Sequence, residues 1–264
     1  MTATIVANPP AKYLGGKRNL ARRLCALIET IPHRAYIEPF VGMGGVFLRR
    51  TKPAPVEVIN DLSGDVANLF RIVRRHYQPF VDELAFLPAS RDEFDRQRRL
   101  NPEVLTDIER AVRFLYLQRL CFGGMIEGRT FGVDRAASSR FNLAKIRANL
   151  RSLSRRLEPV TIEKLPYQDV IRRYDDARAL FYLDPPYDKT EGYGVDFSRD
   201  DYLAMAEQLA GIKGQFIISI NDTPFVRDAF ARFSIEEIPT TWTLATRSAG
   251  AQKVNELLIR SETR

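Results

Sequence analysis

Four successive residues, Asp184-Pro185-Pro186-Tyr187, bring together a carboxylate, two rigid turns and an aromatic ring. Asp184 and the carbonyl of Pro185 can accept two hydrogen bonds from one amino group, and Tyr187 offers a π-face to a planar heterocycle. The two prolines fix φ and remove backbone donors, which leaves the carbonyls before and between them without sheet partners. That chemistry suits capture of a nucleobase amine. The competing reading is a β-turn at a strand end, with Tyr187 merely packing. The apolar run Leu180 to Leu183 reads as a buried strand, and Asp184 falls at its carboxyl end, where ligands of open α/β sheets gather.

Three further stretches carry chemistry of a related kind. Glu38-Pro39-Phe40-Val41-Gly42-Met43-Gly44-Gly45 follows a short predicted strand, 35–38, and precedes 46–50, which reads as a helix start. Its Gly-x-Gly-Gly spacing is not that of a dinucleotide loop; the glycines let a ligand lie against bare backbone. About twenty residues later a second predicted strand ends at Asp61, where a Rossmann-like site places the carboxylate that accepts from a ribose diol. A helix N-cap is the alternative role for Asp61. Near the start, Lys12-Tyr13-Leu14-Gly15-Gly16-Lys17 sets a glycine pair before a helical pattern of Leu20, Leu24, Leu27, Ile28 and Ile31, so that backbone amides can approach an anion. Asp169, after a third predicted strand at 160–163, suits an exocyclic amine or an N-cap equally.

These sites need a scaffold that presents several strand ends on one edge. Strands are expected at 35–38, 56–61, 160–163, 180–183 and 215–220, with further candidates at 234–238 and 254–260. Between 65 and 157 the strand signal disappears. Ser90-Arg91-Asp92-Glu93 has capping-box spacing, Asn101-Pro102 reads as the cap of a helix whose apolar face includes Val104 and Ile108, and 142–157 resumes a helix with arginines on its outer side. The glycine-rich stretch 122–132 reads as a loop or hairpin, and 188–196 as a loop over the site. The expected organisation is a catalytic domain in two parts, 1–64 and 158–264, interrupted by a helical lobe, 65–157.

Composition sets outer bounds. The 264 residues carry 40 Lys and Arg against 33 Asp and Glu, a net charge of +7, which permits a polyanionic partner. Cys25 and Cys121 fall in helical apolar patterns and read as reduced residues of a cytoplasmic protein. With only two histidines and no ligand-like spacing, no metal site is expected. No apolar run approaches a membrane span, and Met1 to Pro10 lacks the plan of a signal peptide.

Taken together and in this order, the motifs resemble those of the Dam-type DNA adenine methyltransferases. Lys12 to Lys17 is similar to their Lys-aromatic-x-Gly-Gly-Lys leader. Glu38 to Phe47 is similar to their Glu-Pro-Phe-x-Gly-x-Gly-x-x-Phe cofactor loop. Asn60-Asp61-Leu62 matches the ribose-binding position, and Asp184 to Tyr187 the catalytic tetrapeptide. The resemblance implies a Rossmann-like α/β fold with a seven-stranded sheet, S-adenosylmethionine as cofactor, and methylation of a flipped adenine in double-stranded DNA by a monomer. It implies Asp184, Pro185, Pro186 and Tyr187 as catalytic residues. Tyr13, Lys17, Glu38, Pro39, Phe40, Gly42, Gly44, Asp61, Leu62, Asp169, Val170 and Asp184 would contact the cofactor. It makes the helical lobe the DNA reader, with Arg119, Phe122, Met125, Arg129, Arg147 and Arg151 as candidate contacts. The segment where such enzymes carry a sequence-reading hairpin departs in composition, with Cys121-Phe122-Gly123-Gly124 in place of polar residues. Two alternatives remain open at this stage: a cofactor-sensing or DNA-binding module without catalysis, and methylation of a cytosine amine or of RNA adenine.

Overall fold

The computed structural model describes residues 5, 7–17, 19–133, 141–189, 197–242 and 252–261. The predicted loop over the site lies, from 190 to 196, outside the described residues. One mixed sheet organises the chain, built from β1 (Ala35–Glu38), β2 (Val56–Asn60), β3 (Thr161–Glu163), β4 (Ala179–Leu183), β5 (Gln215–Asn221), β6 (Ser234–Trp242) and β7 (Gln252–Arg260). The strand order is β3-β2-β1-β4-β5-β7-β6. The first five strands are parallel, and β7 enters antiparallel between β5 and β6.

All five residues of β4 are buried, because helices cover both faces of a central parallel strand. Alternate side chains feed two cores. Phe181 and Leu183 pack with α7 (Tyr167–Tyr174), α8 (Arg199–Ala210) and α9 (Pro224–Ala229). Leu180 and Tyr182 join the opposite core with α1 (Ala21–Thr30).

That second core continues without a break into the helical stretch, through α2 (Gly64–Arg75), α3 (Tyr77–Ala85), α4 (Arg91–Arg99), α5 (Asp107–Leu120) and α6 (Leu143–Arg156). A buried charge cluster adds to the junction. Glu57 on β2 accepts from Arg50 at 2.7 Å and from both terminal nitrogens of Arg156 at 2.6 and 2.9 Å, while Arg156 lies over the Phe47 ring and Arg50 over the Tyr36 ring. Arg156 therefore belongs to the interior, not to the outer basic face of its helix. A buried arginine needs a charged acceptor, and the Glu57 carboxylate takes the two terminal nitrogens of Arg156 in a bidentate geometry, while the Nε atoms of Arg50 and Arg156 stay buried without a partner among the described residues.

The structure departs locally from the sequence-based expectations. Residues 46–50 form only a 3-10 turn, Phe47–Arg49, after which Arg50 turns extended and sends its guanidinium to Glu57. Asn101 caps a 3-10 turn alone; the long helix starts at Asp107, where Thr106 and Glu109 make a reciprocal capping box. Val104 consequently stays 76% exposed and outside the apolar face assigned to it. The glycine-rich stretch closes through one bridge, Cys121 to Phe131, with Gly123, Gly124 and Gly128 at positive φ. It is a tight loop with no hairpin strands. Both cysteines are buried, and the Cys121 thiol donates to the Gln118 carbonyl.

Candidate active site

The strand order reverses between β1 and β4, which pair in parallel from Ala35 opposite Ala179 to Ile37 opposite Phe181. Glu38 and Asp184 leave the sheet side by side at this switch point, the place where open α/β sheets bind ligands. A cleft of about 890 Å³ opens there, lined by the leader, by the glycine turn with Asp61, and by Asp184, Tyr187 and Glu256.

On one side of the cleft, Lys17 gathers three groups. Its ammonium lies 2.5 Å from Asp184 Oδ1 and 2.9 Å from Glu256 Oε1, donates to the Tyr187 hydroxyl, and sits 4.4 Å from the centre of the Tyr187 ring. The Tyr187 hydroxyl in turn donates to Glu256 Oε1 at 2.8 Å. Lys17 and Glu256 are closed off, with 3% and 4% of their side chains exposed, whereas Asp184 keeps 21%. Burial works to lower the Lys17 pKa, but the facing carboxylates reverse this and hold it well above the ordinary lysine range. One ammonium thus serves two carboxylates, and the second negative charge is the one a buried site penalises. Burial pushes the Asp184 carboxyl up to about 7, with Lys17 opposing and Glu256 adding to the rise.

On the other side, Asp61 anchors the glycine turn. Its Oδ2 accepts from the Gly42 amide and its Oδ1 from the Ser63 amide, both at 2.9 Å. Ser63 itself is the N-cap of α2, so the capping alternative for Asp61 gives way to a brace between turn and helix. Burial raises Asp61 to about 6 against the pull of the two amides. Gly42 has φ +49, and a Cβ there would lie 3.0 Å from the Tyr13 ring; the leader packs directly on bare backbone. Glu38 accepts from the Tyr36 hydroxyl at 2.6 Å, and its burial raises the carboxyl to about 8.

The predicted cofactor residues divide in two. Tyr13, Lys17, Glu38, Phe40, Gly42, Asp61 and Asp184 all line the cleft. Others support it from behind. The Pro39 carbonyl accepts from the Asn60 amide at 2.8 Å, and Gly44, at φ +74, turns the chain where a Cβ would strike Leu48. Leu62 is 52% exposed and Val170 is fully buried in the α7 side core; neither lines the cleft. Asp169 lies in the first turn of α7 and accepts from Arg172 at 2.8 Å, also away from the cleft wall.

The tetrapeptide is clamped by residues the sequence reading passed over. Tyr202 donates to the Pro186 carbonyl. The Asn221 side chain exchanges two 3.0 Å hydrogen bonds with the Asp188 backbone, and Thr223 Oγ1 reaches Asp188 Oδ2 at 3.0 Å. Glu256 could have been noticed as a lone acid at the head of the apolar run Leu257 to Ile259, but nothing local says which partner it meets.

The candidate DNA contacts also divide. Arg147 and Arg151 are exposed on α6, and Phe122 is 47% exposed. Met125 is half-buried, and its carbonyl accepts from Arg129. Arg129 is a correction: it is 9% exposed, donates to Gln118 Oε1 at 3.2 Å and stacks over Phe114, so its guanidinium ties the glycine-rich loop to α5. Arg119 lines the cleft and donates to the Pro10 carbonyl at 2.6 Å, which makes it a brace for the leader.

Comparison with known proteins gives the family. A family model described as D12 class N6 adenine-specific DNA methyltransferase matches residues 13–244. The chain belongs to that family. It is 29% identical to the DNA adenine methylase of Serratia marcescens over 94% of this chain and 96% of the relative. To the type II methyltransferase M.MjaIII of Methanocaldococcus jannaschii it is 27% identical, over 75% of this chain and 78% of that one. The Escherichia coli K12 DNA adenine methylase is 25% identical over 94% and 92%. As a member of the D12 class, the chain is an enzyme that transfers a methyl group from S-adenosylmethionine to the exocyclic amine of adenine in DNA. Among the described residues no helix is long and apolar enough to cross a membrane, and no cluster of three metal-ligating side chains occurs.

Proposed function

We propose that the cleft between the glycine turn and Asp184 holds the methyl donor, and that Asp184 accepts the target amine of a flipped base of double-stranded DNA. The chemistry of the donor set supports the cofactor's place. A ribose diol needs an acceptor, which Asp61 supplies at the cleft wall, and a cationic ligand needs acids, which Glu38 and Asp184 supply. Gly42 leaves the space that a side chain would take from a ligand lying on the turn. When bound, the cofactor supplies an electrophilic methyl carried on a positive sulfur.

The chain's own groups prepare the nucleophile. Adenine's amine lone pair is delocalised into the ring and is weakly nucleophilic. Hydrogen bonds from both amine protons, to Asp184 and to the Pro185 carbonyl, favour a pyramidal nitrogen with its lone pair free. Positive charge then develops on the nitrogen beside a carboxylate that is already in place, and Asp184 takes the released proton. A base reaches this site only outside the duplex, and its unstacking is offset by contact with Tyr187. Lys17 sits at the hydroxyl end of that ring, so the base would stack on a face of it, with neighbouring side chains drawing back from a residue that is 5% exposed.

The stretch 65–157 is assigned as the DNA-recognition lobe, with Arg147 and Arg151 on phosphates, Phe122 as a wedge beside the base step, and the enzyme acting as a cytoplasmic monomer. The exposure of these three side chains on one helical stretch and the net charge of +7 support this. The observation that carries the catalytic assignment is Asp184. Its Oδ1 is held by Lys17, and its side chain, 21% exposed, lines the cleft at the switch point. The test is methylation of a sequence-diverse DNA pool with labelled S-adenosylmethionine, followed by mapping of modified bases. Label on adenine amines in the parent and none with Asp184→Ala is expected. A folded Asp184→Ala protein with parental activity overturns the assignment.

A further inference from the structure

The cluster around Lys17 contains one acid that neither the motifs nor the methyl-transfer chemistry calls for. Glu256 comes from β7, the strand that enters the sheet against the direction of its neighbours, and it is 3% exposed. Its Oε1 receives both the Lys17 ammonium, at 2.9 Å, and the Tyr187 hydroxyl, at 2.8 Å. A buried carboxylate next to a carboxylate that must stay reactive is unfavourable unless its charge has a task.

We propose that Glu256 is a positioning residue: it shares the Lys17 ammonium with Asp184 and fixes the Tyr187 hydroxyl, which keeps Asp184 basic enough to take the amine proton. The inference rests on the catalytic assignment of Asp184 above. With two carboxylates on one ammonium, Lys17 orients Asp184 through Oδ1 without neutralising it fully. With Asp184 as the sole partner, the ion pair at 2.5 Å tightens, the carboxylate loses basicity, and the amine meets a weaker acceptor. The Tyr187 hydroxyl, which accepts from Lys17 and donates to Glu256, passes the same constraint to the ring that faces the base.

The titratable and charged groups around Asp184 support a reading in terms of shared charge. They are Lys17 from the leader, Glu38 from β1, Tyr182 from β4, Tyr187 from the tetrapeptide and Glu256 from β7. Of these, Lys17 lowers the Asp184 pKa and Glu256 raises it, both acting on top of burial. Tyr182 and Tyr187 are held neutral, burial keeping their pKa values well above the ordinary tyrosine range.

The test is Glu256→Gln, which keeps the size and an acceptor oxygen for Lys17 and Tyr187 but removes the charge. The first readout is the carboxyl 13C titration of Asp184 in the full-length protein without DNA. The Asp184 titration is expected to move at least one pH unit lower in the variant. The second is the pH profile of methyl transfer, in which the acid limb shifts to lower pH in step. At pH 8 the plateau kcat falls at least tenfold while the cofactor dissociation constant changes less than threefold. Glu256→Asp keeps the charge but not the reach, and is expected to retain the acid limb with a reduced plateau. An unmoved Asp184 titration in a folded Glu256→Gln protein, or a parental kcat with a parental limb, overturns the proposal. If the parent protein methylates no DNA, the catalytic assignment fails, and the 13C titration still decides whether Glu256 sets the basicity of Asp184. Should Glu256→Gln fail to fold, Glu256→Asp and Tyr187→Phe carry the test: parental kcat and a parental Asp184 titration in both would overturn it.

Discussion

Acidification should switch the enzyme off near neutrality, because the acceptor is a buried carboxyl. Burial carries Asp184 from its ordinary value of 3.8 to about 7. At 1.36 kcal/mol per pKa unit this amounts to about 4 kcal/mol in favour of the neutral acid. The neutral acid presents a proton to the amine and cannot take one, so activity requires the ionised form. In the free enzyme about nine-tenths of Asp184 is ionised at pH 8 and about one-tenth at pH 6. The Asp184 contribution to kcat/KM for cofactor should therefore fall about tenfold across that interval. In kcat the limb should lie lower, since a positive sulfonium beside the carboxylate favours its ionised form. Glu38, raised to about 8, adds a second rise to kcat/KM but not to kcat, where saturation absorbs a binding effect. Initial rates of labelled methyl transfer from pH 5.5 to 9, with varied and with saturating cofactor, give both profiles. Asp184→Asn should lower kcat by a factor on the order of 100 or more and abolish the limb. A parental protein with flat kcat and kcat/KM between pH 5.5 and 8 would refute the reasoning, as would Asp184→Asn with an ordinary limb.

Other consequences can be checked separately. Because Glu38 is neutral below about pH 8, affinity for S-adenosylhomocysteine, whose amino group is cationic near neutrality, should increase as pH rises from 7 to 9; calorimetry should show a smaller increase in Glu38→Gln than in the parent. Gly42→Ala places a Cβ at φ +49 and 3.0 Å from the Tyr13 ring, so it should destabilise the protein by roughly 1–2 kcal/mol and weaken cofactor binding; an unchanged Tm and Kd would contradict the packing of the leader on the turn. Arg147→Ala and Arg151→Ala should each reduce the slope of log K against log salt for DNA binding by about 0.9, and slopes equal to the parent's would remove α6 from the phosphate surface.

The sequence by itself determined the parts of the site that are local. The carboxylate, prolines and ring of Asp184 to Tyr187 are consecutive, Asp61 ends a strand, and the positive φ of Gly42 and Gly44 requires glycine, so residue type and spacing were enough to find them. The strands were legible because a buried parallel strand is a continuous apolar run. The burial of Arg156 and Arg129 was not legible, since an arginine on a helix reads as a solvated face until an acceptor such as Glu57 or Gln118 arrives from elsewhere. Thr106 was overlooked beside the stronger signal of Asn101-Pro102, although its capping box with Glu109 is local. Only the tertiary structure decided the partners of Asp184. Lys17 comes from the first residues and Glu256 from the last strand, and they meet because β7 turns back antiparallel into the sheet beside β5. The charge on Asp184 depends on that meeting and on the water it excludes, and neither is a property of any stretch of sequence.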